Sequence, residues 1–75
     1  MTLSIVTEDR FGVLTQITSF FSARGYTIEY LTAVRCKASA KTEIEVVVDC
    51  PPYLGEHVVK QLHKLTDVIE AELQH

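Results

Sequence analysis

Between Leu3 and Thr7 the apolar residues alternate, with Leu3 and Ile5 on one side of an extended chain and Ser4 and Val6 on the other, which predicts a short strand. Glu8 to Gly12 is a polar break ending in glycine. From Val13 the period lengthens: Val13, Leu14, Ile17, Phe20 and Phe21 recur at helical spacings and form one apolar stripe. Arg24 stands in the last turn, where a cation complements the helix dipole. Gly25 is placed to close that helix in the left-handed conformation. Tyr26 to Cys36, rich in β-branched and aromatic residues, reads as the second strand.

Lys37 to Lys41 lacks a two-residue turn signature and reads as a looser hairpin loop. Thr42 to Asp49 alternates, with Ile44, Val46 and Val48 set against Glu43, Glu45 and Asp49. Pro51 and Pro52 stop strand pairing and suit the start of a helix. Val58, Val59, Leu62 and Leu65 make its stripe, with Gly55 near its beginning. Val68 to Leu73 alternates again, Ile69, Ala71 and Leu73 opposite Glu70 and Glu72.

The order βαββαβ predicts an α+β, ferredoxin-like fold: a four-stranded antiparallel sheet with both helices on one face. Right-handed crossovers put the first and third strands in the centre and the second and fourth at the edges. With the hairpin tip at Ala38–Ser39, Leu31 opposes Val46 and Ala33 opposes Ile44, so apolar residues share the face under the helices. The other face collects Glu43, Glu45, Glu70 and Glu72, giving one covered face and one wet one.

A length of 75 residues allows a single domain, residues 1–75. A chain this short buries only about 60% of its unfolded surface, so oligomerisation is a common supplement. The net charge of −3 argues against partners with phosphate backbones or anionic membrane surfaces, which need basic patches. No apolar run reaches the roughly 20 residues of a membrane span. The start, Met1 to Arg10, lacks a basic segment followed by an apolar core, so the expected location is the cytoplasm. Cys36 sits beside the expected hairpin tip and Cys50 at its far end, roughly 30 Å away at 3.3 Å per residue. A disulfide tolerates no more than about 7 Å between Cα atoms, so two free thiols are expected, in keeping with a reducing compartment.

Several functions of this topology fail on their residues. An RNA-recognition module needs aromatic side chains on the open face of its central strands, where this chain has Glu43, Glu45 and Val47. A heavy-metal carrier needs paired thiolates in the first loop, which holds Glu8, Asp9 and Arg10. His57 and His63 are not on one helical face, and a solvated role suits them better than metal binding. Glu43 and Glu45 share a flat strand face with no cleft to shift their acidity, so they read as a solubilising surface. The expectation is no catalytic residue, no metal and no cofactor.

What remains is the loop Asp9-Arg10-Phe11-Gly12 leading to Val13. Unpaired N–H groups in a first helical turn attract a carboxylate, and Gly12 leaves room for close approach. Asp9 offers an acceptor for an ammonium. An amino acid carries both groups, with its carboxylate expected near the N–H groups of Gly12 and Val13.

The motifs Gly12-Val13-Leu14, Phe21-Ser22-Ala23-Arg24-Gly25-Tyr26, Ile28-Glu29 and Leu31-Thr32 stand at the spacings seen in the small subunit of acetolactate synthase. Gln61-Leu62-His63-Lys64-Leu65 before Asp67-Val68 also looks like that family. The chain resembles its N-terminal ACT domain from about Leu3 to Leu73. The resemblance implies a non-catalytic, allosteric regulatory subunit in branched-chain amino-acid biosynthesis, with a valine-like effector and a catalytic partner holding thiamine diphosphate, magnesium and flavin. It further implies a ligand site of Asp9, Arg10, Phe11, Gly12 and Val13 completed by Thr27 and Ile28 of a neighbouring chain. Two positions depart from the family pattern, which has asparagine where Asp9 and Thr27 stand. A free-standing ACT domain that binds a small metabolite or regulates another enzyme is the alternative, as is an interaction domain without a ligand.

The second strand supplies a partner on physical grounds. It is a long apolar edge with no proline or lysine before Arg35, and such edges invite pairing. A homodimer through this strand is expected, with Tyr26, Ile28, Tyr30, Leu31, Thr32 and Val34 in the interface. ACT dimers that this chain resembles pair in that way about a two-fold axis.

Overall fold

The chain runs β1 (Thr2–Glu8), α1 (Val13–Ala23), β2 (Thr27–Cys36), β3 (Lys41–Asp49), a 3₁₀ turn (Pro52–Leu54), α2 (Gly55–Leu62) and β4 (Val68–Gln74). This computed structural model describes residues 1–74; His75, the last residue of the expected domain, lies outside the described residues. The strands form one antiparallel sheet in the order β2-β3-β1-β4, the ferredoxin-like arrangement the patterning predicts. Leu31 faces Val46 and Ala33 faces Ile44, in the expected register.

One face of the sheet carries the core. Leu3 and Ile5 of β1, Ile44, Val46 and Val48 of β3 and Ala71 of β4 are buried against Ile17, Phe20 and Phe21 of α1 and Val58 and Leu62 of α2. On the opposite face Val6 lies between Glu43 and Glu70, and Ser4 between Glu45 and Glu72. Strand alternation places these carboxylates away from the helices.

α1 ends by a compact hydrogen-bonded closure. Gly25 adopts φ 75°, its N–H donates to Ser22 O, and the Tyr26 N–H donates to Phe21 O. Arg24 Nη1 donates to Phe20 O at 3.0 Å, and its guanidinium lies 3.8 Å over the Phe20 ring. Tyr26 therefore belongs to the closing turn and not to the strand, which starts at Thr27.

Other expectations need correction. Leu14, assigned to the apolar stripe of α1, is 42% exposed, because it lies on the flank of the helix nearest the first loop. Leu65 lies beyond the end of α2 at Leu62; it packs on the core from a series of tight turns in which its N–H donates to Leu62 O. In β4 the alternation slips at a bulge: Thr7 pairs with Val68 and Val6 with Glu70, leaving Ile69 unpaired and partly exposed while Val68 packs inward. β2 carries a second bulge at Glu29, between Ile28 opposite Val48 and Tyr30 opposite Val47.

That bulge sorts the side chains of β2. Ile28 and Leu31 turn towards the helices and are half-buried, while Tyr30, Thr32 and Val34 lie on the open face. Tyr30 and Val34 are 52% and 61% exposed, unusual for apolar residues of a long strand. At the other side α2 rides close on β4, since a Cβ at Gly55 would stand 2.5 Å from Leu73 Cδ1. Cys36 and Cys50 stand at opposite ends of the β2–β3 hairpin, the first exposed, the second buried, both free.

Candidate functional site

The loop between β1 and α1 turns on Gly12. It adopts φ 84° and ψ 1°, a left-handed conformation that L side chains resist, and nothing lies within 4 Å of where its Cβ would be. The chain thereby enters α1 without a side-chain cap. The first helical ladder bond runs from Gln16 N–H to Gly12 O, so the N–H groups of Leu14 and Thr15 precede it. The N–H of Val13 is occupied within the loop, donating to Arg10 O at 3.2 Å, and is not free for a ligand as expected.

Three neighbours pin the loop. Glu8 N–H donates to Asp67 O at 2.8 Å and Asp9 N–H donates to Ala40 O at 3.0 Å. Asp67, almost wholly buried, accepts a hydrogen bond from Gln16 Nε2 at 3.3 Å and pairs with Arg10 Nε at 3.4 Å. The loop is thus tied to the start of β4, the hairpin tip and the first turn of α1 together.

Between this loop, α1 and the end of β2 lies a cleft of about 500 Å³. Asp9, Arg10, Phe11, Gly12 and Val13, all assigned from the sequence, line it together with Leu14, Thr15, Ala33, Arg35 and Thr42. Phe11 is fully exposed at its rim. Thr27 and Ile28 are not brought there: they pair with Asp49 and Val48 at the other end of β2, while the cleft takes Ala33 and Arg35.

Charge in the cleft is concentrated in one pair. Arg35 Nε donates to Asp9 Oδ1 and Oδ2 at 3.0 and 3.1 Å, and its Nη2 to Oδ2 at 2.9 Å. Thr42 Oγ1 donates to Oδ1 at 3.4 Å. The hydrogen bonds from Arg35 hold the Asp9 carboxyl below the usual carboxylate range, and the same bonds raise Arg35. Sequence reasoning missed Arg35 and Asp67. The first was legible in the register, because Arg35 faces Thr42, whose side chain is buried on the helix side of β3. Asp67 carried no comparable signal.

Topology, the glycine turn and the cleft beside an open strand edge fit one class of protein, the small α+β sandwiches called ACT domains. Residues 3–70 match the AHAS small subunit-like ACT domain, and the chain belongs to that family. It is 44% identical over 71 residues to the acetolactate synthase small subunit of Mycobacterium leprae (strain TN), covering 92% of this chain and 41% of that protein. It is 32% identical over 69 residues to the probable acetolactate synthase small subunit of Archaeoglobus fulgidus, covering 92% of this chain and 43% of that protein. The chain therefore spans about two fifths of the length of these relatives. The acetolactate synthase small subunit from Thermotoga maritima shares the fold, with a TM-score of 0.82 at 21% identity over 93% of this chain and 44% of that one.

Proposed function

We propose that this chain is a non-catalytic, ACT-type regulatory domain, residues 1–75, that senses an amino acid and acts on the thiamine diphosphate-dependent catalytic subunit of acetolactate synthase in the cytoplasm. The observation that carries the reading is the cleft at the Gly12 turn, which opens beside the unpaired edge of β2. Membership of the AHAS small subunit-like family supports the choice of partner.

The edge of β2 suits pairing with a second copy about a two-fold axis, the commonest closed symmetry. A pairing centred on Tyr30 sets Ala33, in the cleft wall, opposite Thr27 of the partner subunit. The cleft would then be closed from the neighbouring chain by Thr27 and Ile28. An aliphatic effector side chain would meet Phe11, Leu14 and Ala33. Binding across such a seam couples ligand to the arrangement of the two copies, and coupling of this kind is typically about 1–3 kcal/mol and reciprocal.

The test has two parts. Calorimetric titration with valine, leucine and isoleucine should give saturable binding. Acetolactate formation by a matching catalytic subunit should rise when this chain is added and respond to the amino acid that binds. Amino-acid binding without any effect on the catalytic subunit would reassign the chain as a free-standing sensor of another enzyme.

A further inference from the structure

The wall of the cleft holds two opposite charges in direct contact, and the two are held very differently. Asp9 is fixed: its N–H is bonded to Ala40 O, Thr42 Oγ1 donates to its carboxylate, and its side chain is only 17% exposed. Arg35 stands on an edge strand with its side chain 64% exposed. Its Nε and Nη2 serve Asp9, while Nη1 makes no hydrogen bond among the described residues. The contact faces solvent on the Arg35 side, so a ligand can reach both charges, and a ligand that carries a partner for each replaces the pairing it breaks.

We infer that Arg35 and Asp9 together read the zwitterion of an α-amino acid, which enters by exchanging partners with them: its carboxylate takes the Arg35 guanidinium and its ammonium takes the Asp9 carboxylate. The inference deepens the function proposed above and rests on it. The pair is neutral as a unit, so a ligand with one charge leaves one member stranded. A carboxylic acid satisfies Arg35 but pulls it from Asp9, and an amine displaces Arg35 from Asp9 and offers it nothing. A ligand bearing both charges on one carbon replaces both halves of the contact. The guanidinium is also suited to a carboxylate by geometry, since its planar edge matches two oxygens. Arg35, the exposed member, makes the movement, while Asp9 stays in place and keeps its bond to Thr42.

The same arrangement resolves a difficulty in the sequence. A carboxylate at position 9 by itself repels an incoming carboxylate. With Arg35 on the neighbouring strand, that negative charge is answered before the ligand arrives and is free for the ammonium once the ligand is seated.

The experiment uses the whole chain and three ligands: valine, 3-methylbutanoate, which lacks the amino group, and 2-methylpropan-1-amine, which lacks the carboxylate. Both truncated ligands should bind about tenfold or more weakly than valine, as expected for loss of a charged hydrogen-bonded contact. Arg35→Gln should weaken valine by a similar factor, Arg35→Lys should recover part of the loss, and Asp9→Asn should weaken valine as well. In the wild-type chain the ¹⁵N signal of Arg35 Nε should shift on saturation with valine. Circular dichroism checks that each variant is folded. The inference is overturned if 3-methylbutanoate binds as tightly as valine. It is also overturned if Arg35→Gln leaves valine affinity unchanged while Gly12→Ala weakens it, an outcome that leaves the proposed effector site standing. If no amino acid binds the wild-type chain, the sensing function and the zwitterion exchange fall together.

Discussion

Gly12 and Gly25 form a matched pair for separating backbone strain from ligand access. Both are left-handed, at φ 84° and 75°, and an added Cβ would touch nothing within 4 Å at either position. A side chain there brings no clash, so the cost of alanine is conformational. It amounts to roughly 1–2 kcal/mol for an L residue in this region, partly offset by the reduced freedom of the unfolded chain. A net loss of about 1 kcal/mol is expected at each site, out of roughly 4–11 kcal/mol for a domain of this size. In a domain this small that lowers Tm by about 4–8 °C. Gly12→Ala and Gly25→Ala should therefore be destabilised alike in urea or thermal unfolding followed by far-ultraviolet circular dichroism at one fixed protein concentration. Their binding should differ. Position 12 lines the cleft, whereas position 25 lies at the opposite end of α1, so valine affinity should fall only in Gly12→Ala. Equal loss of binding in both variants would show that Gly12 acts through stability alone. No loss of stability in either would refute the strain assigned to these two turns.

Three further outcomes are expected. The chain should sediment as a dimer at micromolar concentration, with Val34→Lys shifting it towards monomer by charging the open edge; a monomeric wild type removes the β2 pairing. Phe21→Ala deletes a fully buried ring packed edge-to-face on Phe20, centroids 5.0 Å apart, and should cost about 3–5 kcal/mol, a large share of the fold's stability; a small shift in the urea midpoint would contradict the core described here. Asp9 has its acidity increased by Arg35, so its contribution is present above its ordinary value near 3.8 and is lost as pH falls through the lower folded value. A ¹³C carboxyl titration should therefore show the Asp9 midpoint returning upwards in Arg35→Gln, and an unmoved midpoint would mean that the ion pair does not persist in solution.

The elements were legible because each hydrophobic period is carried by residues that end up buried on one side. Leu3 and Ile5, Ile17 and Phe21, and Val46 and Val48 are alternating or helical positions of the sequence and are among the least exposed residues of the structure. Where the reading failed, an added or displaced residue broke the period. The bulge at Ile69 turns Val68 inward, and periodicity has no term for a residue that drops out of the ladder. Leu14 fits the helical stripe by spacing alone, yet the stripe is wider than the surface the sheet presents to α1. The site was half legible. Asp9 to Val13 lie together because they are consecutive, but their partner Arg35 is distant in sequence and meets them only through the register of β2 on β3. Charge complementarity across that register was the available clue. Asp67 reaches the loop through tertiary packing at the start of β4, which no local pattern announces.

The wide exposure of β2 also bears on the order in which the molecule becomes secure. Of its residues only Ile28 and Leu31 are even half-buried, and its ladder is to β3 alone. Amides that a chain shields with few apolar contacts open at low free energy, well below global unfolding. In an isolated copy β2 is then expected to open at lower free energy than the central strands β1 and β3. A second copy laid along its outer edge would bond the amides that point away from β3, so the protection of this strand against hydrogen exchange would rise with protein concentration while that of β1 stayed constant. Arg35 rides on this strand. The half of the cleft that moves is thus mounted on a thinly covered edge strand, and the half that stays still, Asp9, is mounted on the end of a central strand where the loop is pinned from three sides.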